Sequence, residues 1–218
     1  MRPRAMPTEV EAKFRAETAE PLIELADRPR LGRAILGPAR TVDEVDRYLD
    51  TDDGRLAAAL WACRLRSREG ATRISLKGPP IGPIEGWHHR RPEVEGPATE
   101  AIEPDSWPAS PALDLLNGLR DERPLIEHLR LYQARTERAV TLADGTLIAM
   151  LTLDRVRMTA NGTHLGSLFV VELELDPSSH AAELALEGLA AELEATDGLV
   201  AEPRSKLEHA LDRLAEHR

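Results

Sequence analysis

Thr8-Glu9-Val10-Glu11-Ala12-Lys13-Phe14-Arg15 is the stretch that decides how this chain folds. In an extended strand successive side chains point to opposite faces, so Glu9, Glu11, Lys13 and Arg15 share one side while Val10, Ala12 and Phe14 share the other. Alone, this reads as a half-buried antiparallel strand with a salt-bridged outer face. Repetition changes the reading. Arg64, Arg66 and Arg68 alternate with Cys63, Leu65 and Ser67, and Arg73, Ser75 and Lys77 alternate with Ile74 and Leu76. Arg91, Glu93 and Glu95 alternate with Pro92 and Val94, and Glu172, Glu174 and Asp176 with Val171, Leu173 and Leu175.

Working outward, segments of period-2 character run over 8–16, 42–51, 60–68, 72–78, 86–95, 129–142, 146–158 and 165–176. Turn chemistry separates several of them: Asp52-Asp53-Gly54, Glu69-Gly70, Ala143-Asp144-Gly145 and Asn161-Gly162, the last two joining adjacent strands as hairpins. Helical spacing is found over 20–27, 111–119, 179–196 and 205–217, with Ser178 or Ser179 as a cap for the third of these and Asp197-Gly198 as its stop. Segments 78–83 and 103–111 read as extended loops, too short to separate independent domains.

The apolar parity, which includes Val10, Phe14, Leu65, Ile74, Leu76, Val94, Val171, Leu173 and Leu175, needs cover, and the amphipathic helices supply it. The charged parity then faces inward if the sheet closes on itself, and closure also removes the edge strands. The expected fold is α+β: an eight-stranded antiparallel closed β-barrel with helices packed outside, forming one domain over 1–218.

Composition narrows the function classes. At 218 residues with 42% hydrophobic and 30% charged residues, the chain is long enough for a sizeable core. Lys and Arg total 28 against 38 Asp and Glu, a formal charge of −10 that argues against a nucleic-acid or membrane-surface binder. The lone Cys63 excludes an intramolecular disulfide and reads as a packing residue. Met1-Arg2-Pro3-Arg4 lacks the apolar run of a signal peptide and no segment has the length of a spanning helix, so a cytoplasmic location is expected.

The inward residues sort into two chemical sets. Glu9, Glu11, Asp154, Glu172 and Glu174 are hard oxygen donors suited to Mg²⁺ or Mn²⁺. Lys13, Arg64, Arg66, Lys77 and Arg135 are suited to phosphate oxygens.

With these residues in place the chain resembles the CYTH superfamily, the triphosphate tunnel metalloenzymes. The matching motifs are Glu9-x-Glu11-x-Lys13, Tyr48-Leu49-Asp50-Thr51, Arg64-x-Arg66, Leu76-Lys77-Gly78, Arg91-x-Glu93-x-Glu95, Arg135, Asp154, Glu172-x-Glu174 and Ser205-Lys206, in family order. The resemblance implies a tunnel that holds a triphosphate between bases and one or two divalent cations. It implies Glu9, Glu11, Asp154, Glu172 and Glu174 as ligands of Mg²⁺ or Mn²⁺, and Lys13, Arg64, Arg66, Lys77, Arg91, Arg135 and Lys206 as phosphate-binding residues, with Lys13, Glu9 and Glu11 catalytic. Lys206 enters through the resemblance alone, because it lies on a helix. Glu93 and Glu95 either touch metal or merely balance arginines. Arg15, Arg68 and Arg73 lie near strand ends and are expected to be solvated, as are His88 and His89; Tyr48 and Asp50 read as structural.

Family activities include inorganic triphosphatase, thiamine triphosphatase, RNA triphosphatase and class IV adenylyl cyclase. An organic substituent needs a stacking ring. Trp61 has the parity opposite to Arg64 and Arg66, and the inward position beside it is the small Ala62. Cleavage of the terminal phosphate of inorganic triphosphate is therefore the first expectation, with a cyclase or thiamine triphosphatase as the alternative within the fold and a non-catalytic polyphosphate-binding module as the alternative outside catalysis. Expected partners are the triphosphate and, in a homodimer, a second copy, with no nucleic acid and no membrane. The surface acids, including Glu183, Glu187, Glu192 and Glu194, are expected on helices while the tunnel stays locally positive.

Overall fold

Eight long strands alternate hydrogen-bonded neighbours around a closed ring, and the structure that shows this is a computed structural model describing residues 6–83 and 86–217. The Met1–Arg4 start discussed above lies outside the described residues. In chain order the elements are β1 (Thr8–Ala16), α1 (Glu20–Asp27), β2 (Arg30–Leu31), β3 (Ala34–Leu36), β4 (Arg40–Thr51), α2 (Arg55–Ala58), β5 (Ala62–Arg68), β6 (Ala71–Lys77) and β7 (His88–Ala98). There follow α3 (Pro111–Arg120), β8 (Leu125–Thr141), β9 (Leu147–Ala160), β10 (Thr163–Leu175), α4 (His180–Glu194), β11 (Leu199–Ala201) and α5 (Lys206–Glu216).

The ring runs β1-β10-β9-β8-β4-β5-β6-β7 and returns to β1, antiparallel throughout. The hairpin β2-β3 adds to β8, and β11 adds to β1. The turn Asn161-Gly162, with φ of 48° and 78°, makes the tight link between β9 and β10. Three short strands and α2 were not legible: β2, β3, β11 and α2 are two to four residues long, below the span over which a period shows.

Outward residues build two cores, as the apolar parity predicts. Phe14, Leu151, Val171 and Leu173 are buried under α1 and α4; Leu65, Ile74, Leu76 and Cys63 under α2 and α3. Ser110 caps α3 by accepting from Leu113 N at 3.2 Å, with Pro111 at the first helical position. Ser179 stands at the start of α4 but its side chain makes no capping bond. Ser205 forms a reciprocal capping box with Glu208 at the start of α5.

A third core corrects the expectation of a uniformly charged interior. The parity that carries Arg135 also carries Leu129 and Leu131, and the parity of Asp154 carries Val156, Met158 and Ala160. These residues, with Leu165, pack together and against Ala210 of α5. One end of the barrel is thus stoppered by apolar side chains and a helix, and the charged residues occupy the rest.

Candidate functional site

Glu9 and Glu11 of β1 project into the barrel between β7 and β10. Lys77 Nζ donates to Glu9 Oε1 at 2.7 Å and Arg91 Nε to Glu9 Oε2 at 2.9 Å. Burial would raise the Glu9 carboxyl, but Lys77 and Arg91 outweigh it and hold it well below the usual carboxylate range. Lys13, 1% exposed, lies 2.9 Å from Glu11 and 3.4 Å from Glu172. Burial opposes its charge, while Glu11 and Glu172 raise its pKa and keep it an ammonium. Arg135 forks onto Asp154 and reaches Glu172 at 3.3 Å. Lys206, the first residue of α5, contacts Asp154 and donates to Glu172 at 2.8 Å.

The facing wall, built by β4, β5 and β8, contains residues that the sequence did not single out. Arg66 forks onto Asp46 at 2.7 and 2.8 Å, and Gln133 Nε2 donates to the same carboxylate at 2.7 Å. Arg68 forks onto Glu137 at 2.6 Å for both bonds and donates to Glu44 at 3.0 Å. Glu44 and Asp46 share the inward parity with Tyr48, which was visible in principle. Asp43 and Arg47 blurred it, because β4 is polar on both faces.

Arg64 differs from Arg66 and Arg68. Its nearest carboxylates, Glu93, Asp46 and Glu95, stand at 3.6, 3.7 and 3.9 Å, and its Nε is buried without a hydrogen-bond partner. It is the tunnel arginine least committed to an acid. Between the walls lies a cavity of about 500 Å³ lined by Glu9, Arg64, Arg66, Lys77, Glu93, Glu95, Arg135, Glu172 and Glu174, with Pro7, Thr8 and Pro177 at its mouth. All twelve charged residues expected at the site meet here: Glu9, Arg64, Arg66, Lys77, Arg135, Glu172 and Glu174 line the cavity, and Glu11, Lys13, Arg91, Asp154 and Lys206 are joined to that lining by ion pairs.

Other expectations meet mixed outcomes. His89 is buried, not a surface residue, and its Nε2 lies 2.8 Å from Glu202 O. Arg68 is bound into the wall, whereas Arg73 is exposed as expected. Asp50 is structural: it accepts from Leu56 N and Ala57 N and holds the start of α2. Burial pushes the Tyr48 hydroxyl up to about 12 and the Cys63 thiol likewise. The tunnel is not locally positive either. Lys13, Arg64, Arg66, Arg68, Lys77, Arg91, Arg135 and Lys206 are met by Glu9, Glu11, Glu44, Asp46, Glu93, Glu95, Glu137, Asp154, Glu172 and Glu174, so the wall carries no excess of positive charge.

The CYTH domain pattern matches this chain over residues 7–210. The chain belongs to the CYTH domain family. Solved structures similar to it include a candidate adenylyl cyclase from Hippeastrum, described as revealing a dominant triphosphatase activity, at 18% identity and a TM-score of 0.64, covering 94% of this chain and 95% of that one. A candidate adenylate cyclase from Bacillus halodurans is similar at 19% identity and a TM-score of 0.57, covering 94% and 98%. A Pyrococcus horikoshii protein is similar at 20% and 0.55, covering 95% and 99%. At these identities the likeness shows the fold. No curated protein matches the chain by sequence.

CYTH tunnel enzymes generally use divalent metals. Among the described residues of this CYTH domain, no three His, Cys, Asp or Glu side chains are already gathered as a metal cage. The donor set nevertheless fits a hard cation. Burial against the tunnel wall, and after it the neighbouring Glu9 and Glu11 carboxylates, push the Glu174 carboxyl up to about 7. Asp154 is placed otherwise: its oxygens are engaged by Arg135 and Lys206.

A second pocket of about 300 Å³ bears on the stacking-ring expectation. Trp61, which precedes β5, lines it with Leu60, Ala62, Pro79 and Pro80, and the tunnel bases Lys77 and Arg91 border it. Trp61 lies over Gly78, where an added Cβ would meet the ring at 2.9 Å.

Proposed function

We propose that this CYTH domain is a divalent-metal-dependent hydrolase that removes the terminal phosphate of inorganic triphosphate. The observation that carries this reading is the stoppered cavity, which is lined by bases and carboxylates and has, among the described residues, no aromatic ring on its wall. Glu9, Glu11, Glu172 and Glu174 are the residues that would hold Mg²⁺ or Mn²⁺. Such a cation supplies charge neutralisation of the phosphate oxygens and activation of water.

The chain's own residues do the remainder. Arg64, with its uncommitted guanidinium, and Lys77 bind phosphate oxygens on the cavity wall, while Arg135, Lys13, Arg91 and Lys206 supply further positive charge around it. Charge that builds on the transferred phosphoryl group and on the leaving pyrophosphate is stabilised because these bases are held in place before substrate arrives. Arg66 is less available, since Asp46 occupies its fork; it stiffens the wall from which Arg64 projects. The stopper of Leu131, Met158 and Leu165 limits water entry from the closed end.

The pocket beside Trp61 favours a second reading, in which an organic triphosphate places its substituent there and its phosphates on Lys77 and Arg91. Purified protein offered tripolyphosphate, ATP and thiamine triphosphate with Mg²⁺ or Mn²⁺ separates the two. Phosphate release fastest from tripolyphosphate supports the first. Preference for an organic triphosphate, or cyclic AMP formed from ATP without free phosphate, overturns it.

A further inference from the structure

Glu202 lies outside the cavity, belongs to none of the motifs, and is 2% exposed. It follows β11 at the point where the chain leaves the barrel for α5. Its backbone N–H donates to Lys13 O at 3.0 Å, and its carbonyl faces His89 Nε2 of β7 at 2.8 Å. Its carboxylate accepts from Arg204 N at 2.8 Å, lies 3.1 Å from Arg15 Nε of β1, and lies 2.9 Å from His209 Nε2 of α5. Burial would raise this carboxyl, but the Arg204 N–H and His209 hold it below its ordinary value. One buried residue therefore ties together the three elements that deliver Lys13, Arg91 and Lys206: its backbone holds β1 and β7, and its carboxylate reaches β1 and α5.

The position along the chain gives this node its consequence. Three residues separate Glu202 from Lys206, and His209 follows Lys206 by less than one helical turn. Lys206 is thus held between the Glu202 backbone anchor on one side and the Glu202–His209 contact on the other. The Lys206 ammonium must reach Asp154 and Glu172 across the mouth of the stopper, and a shift of α5 by a fraction of a turn would withdraw it. Ser205 and Glu208 cap the helix but bond only within α5 and its own entry, so they set its start and not its place on the barrel.

We infer that Glu202 is a positioning residue of the triphosphate site, fixing α5 on β1 and β7 so that Lys206 is presented to the tunnel; this rests on the triphosphate reading above. A double-mutant cycle tests it, with tripolyphosphate binding measured by isothermal titration calorimetry in the presence of Mg²⁺ and with thermal melting of every variant. Glu202→Gln keeps the shape and removes the charge. It is expected to weaken binding by about fivefold to tenfold, and Glu202→Gln combined with Lys206→Met is expected to bind no more weakly than Lys206→Met alone. His209→Leu, which leaves Glu202 in place and cuts only its link to α5, is expected to show a smaller loss with the same lack of additivity, and it serves if Glu202→Gln does not fold. Penalties that add in full, or wild-type affinity in both single variants, overturn the inference while leaving the triphosphate reading intact. Failure of the wild-type protein to bind tripolyphosphate overturns that reading and the inference with it.

Discussion

Arg135 closes a two-point fork on Asp154, Nε to Oδ1 at 2.8 Å and Nη2 to Oδ2 at 2.7 Å, with the carboxylate wholly buried. Lys206 adds a second cation to the same carboxylate. Asp154 thus holds two bases at fixed positions, and it stands behind the cavity lining, whereas Glu9 and Glu172 lie on it. Removing it leaves Arg135 and Lys206 short of compensation in a low-dielectric interior. Asp154→Asn is expected to destabilise the fold by about 3–5 kcal/mol, the usual size for breaking a buried pair from one side. Urea unfolding measures it. A cost near zero combined with lost metal affinity would return Asp154 to the role of ligand.

Asp46 gives the pH dependence. Burial would raise its carboxyl, but Arg66 and Arg64 overcome that and depress it well below the ordinary value of 3.8. A depressed folded-state pKa means that the stabilisation is fully present above the unfolded value and fades as pH falls below it. The protein is therefore expected to lose stability progressively below about pH 4. Asp46→Asn should be less stable at neutral pH and should lose less on acidification. Denaturant midpoints at a series of pH values decide the matter, and parallel curves for the two proteins would refute the assignment.

How much of this was legible depended on whether a strand's two faces differ. On β1, β6 and β10 one face is apolar and covered by helices, so Glu9, Lys77 and Glu172 announced themselves by parity, and with them the closed barrel. On β4 the outer face carries Asp43 and Arg47, so the inward Glu44 and Asp46 had no apolar background to stand against. Lys206 and Glu202 lie beyond the reach of any period: one opens a helix and the other sits in a four-residue link whose importance comes from contacts with β1, β7 and α5. The apolar stopper was missed for a related reason. Val156 and Met158 continue the parity of Asp154 along β9, and an apolar residue reads as outward unless the end of the barrel is known to be filled.

Arg138 separates stability from the site. It is 6% exposed and donates to the backbone carbonyls of Leu25, Ala26, Arg28, Leu36 and Gly37, a buried cation held by carbonyls. It satisfies the open carbonyls at the end of α1 and pins that helix and β3 to β8. Arg138→Met strands those buried oxygens and is expected to cost on the order of 3–5 kcal/mol. Tripolyphosphate affinity of the folded protein should stay within about twofold, since α1 contributes nothing to the cavity. An affinity loss that matches the stability loss would show that α1 and the tunnel are coupled.

Metal dependence should appear in binding before it appears in turnover. Each inward base already has an acid opposite it, so the wall alone offers a polyanion little net attraction, and a steering field of the kind expected from a positive tunnel is missing. In the proposed reading the phosphate charge is then met by cations carried on Glu9, Glu11, Glu172 and Glu174. Tripolyphosphate is expected to bind at least about tenfold more tightly with Mg²⁺ or Mn²⁺ than in chelator. Glu9→Gln with Glu11→Gln should erase that difference and lower turnover by about a hundredfold, because these two carboxylates also hold Lys77, Arg91 and Lys13 in line. Calorimetry with Mn²⁺ alone reads the same variant without substrate: weakened Mn²⁺ binding supports the assignment. Unchanged Mn²⁺ affinity together with unchanged turnover would remove these two glutamates from the metal site.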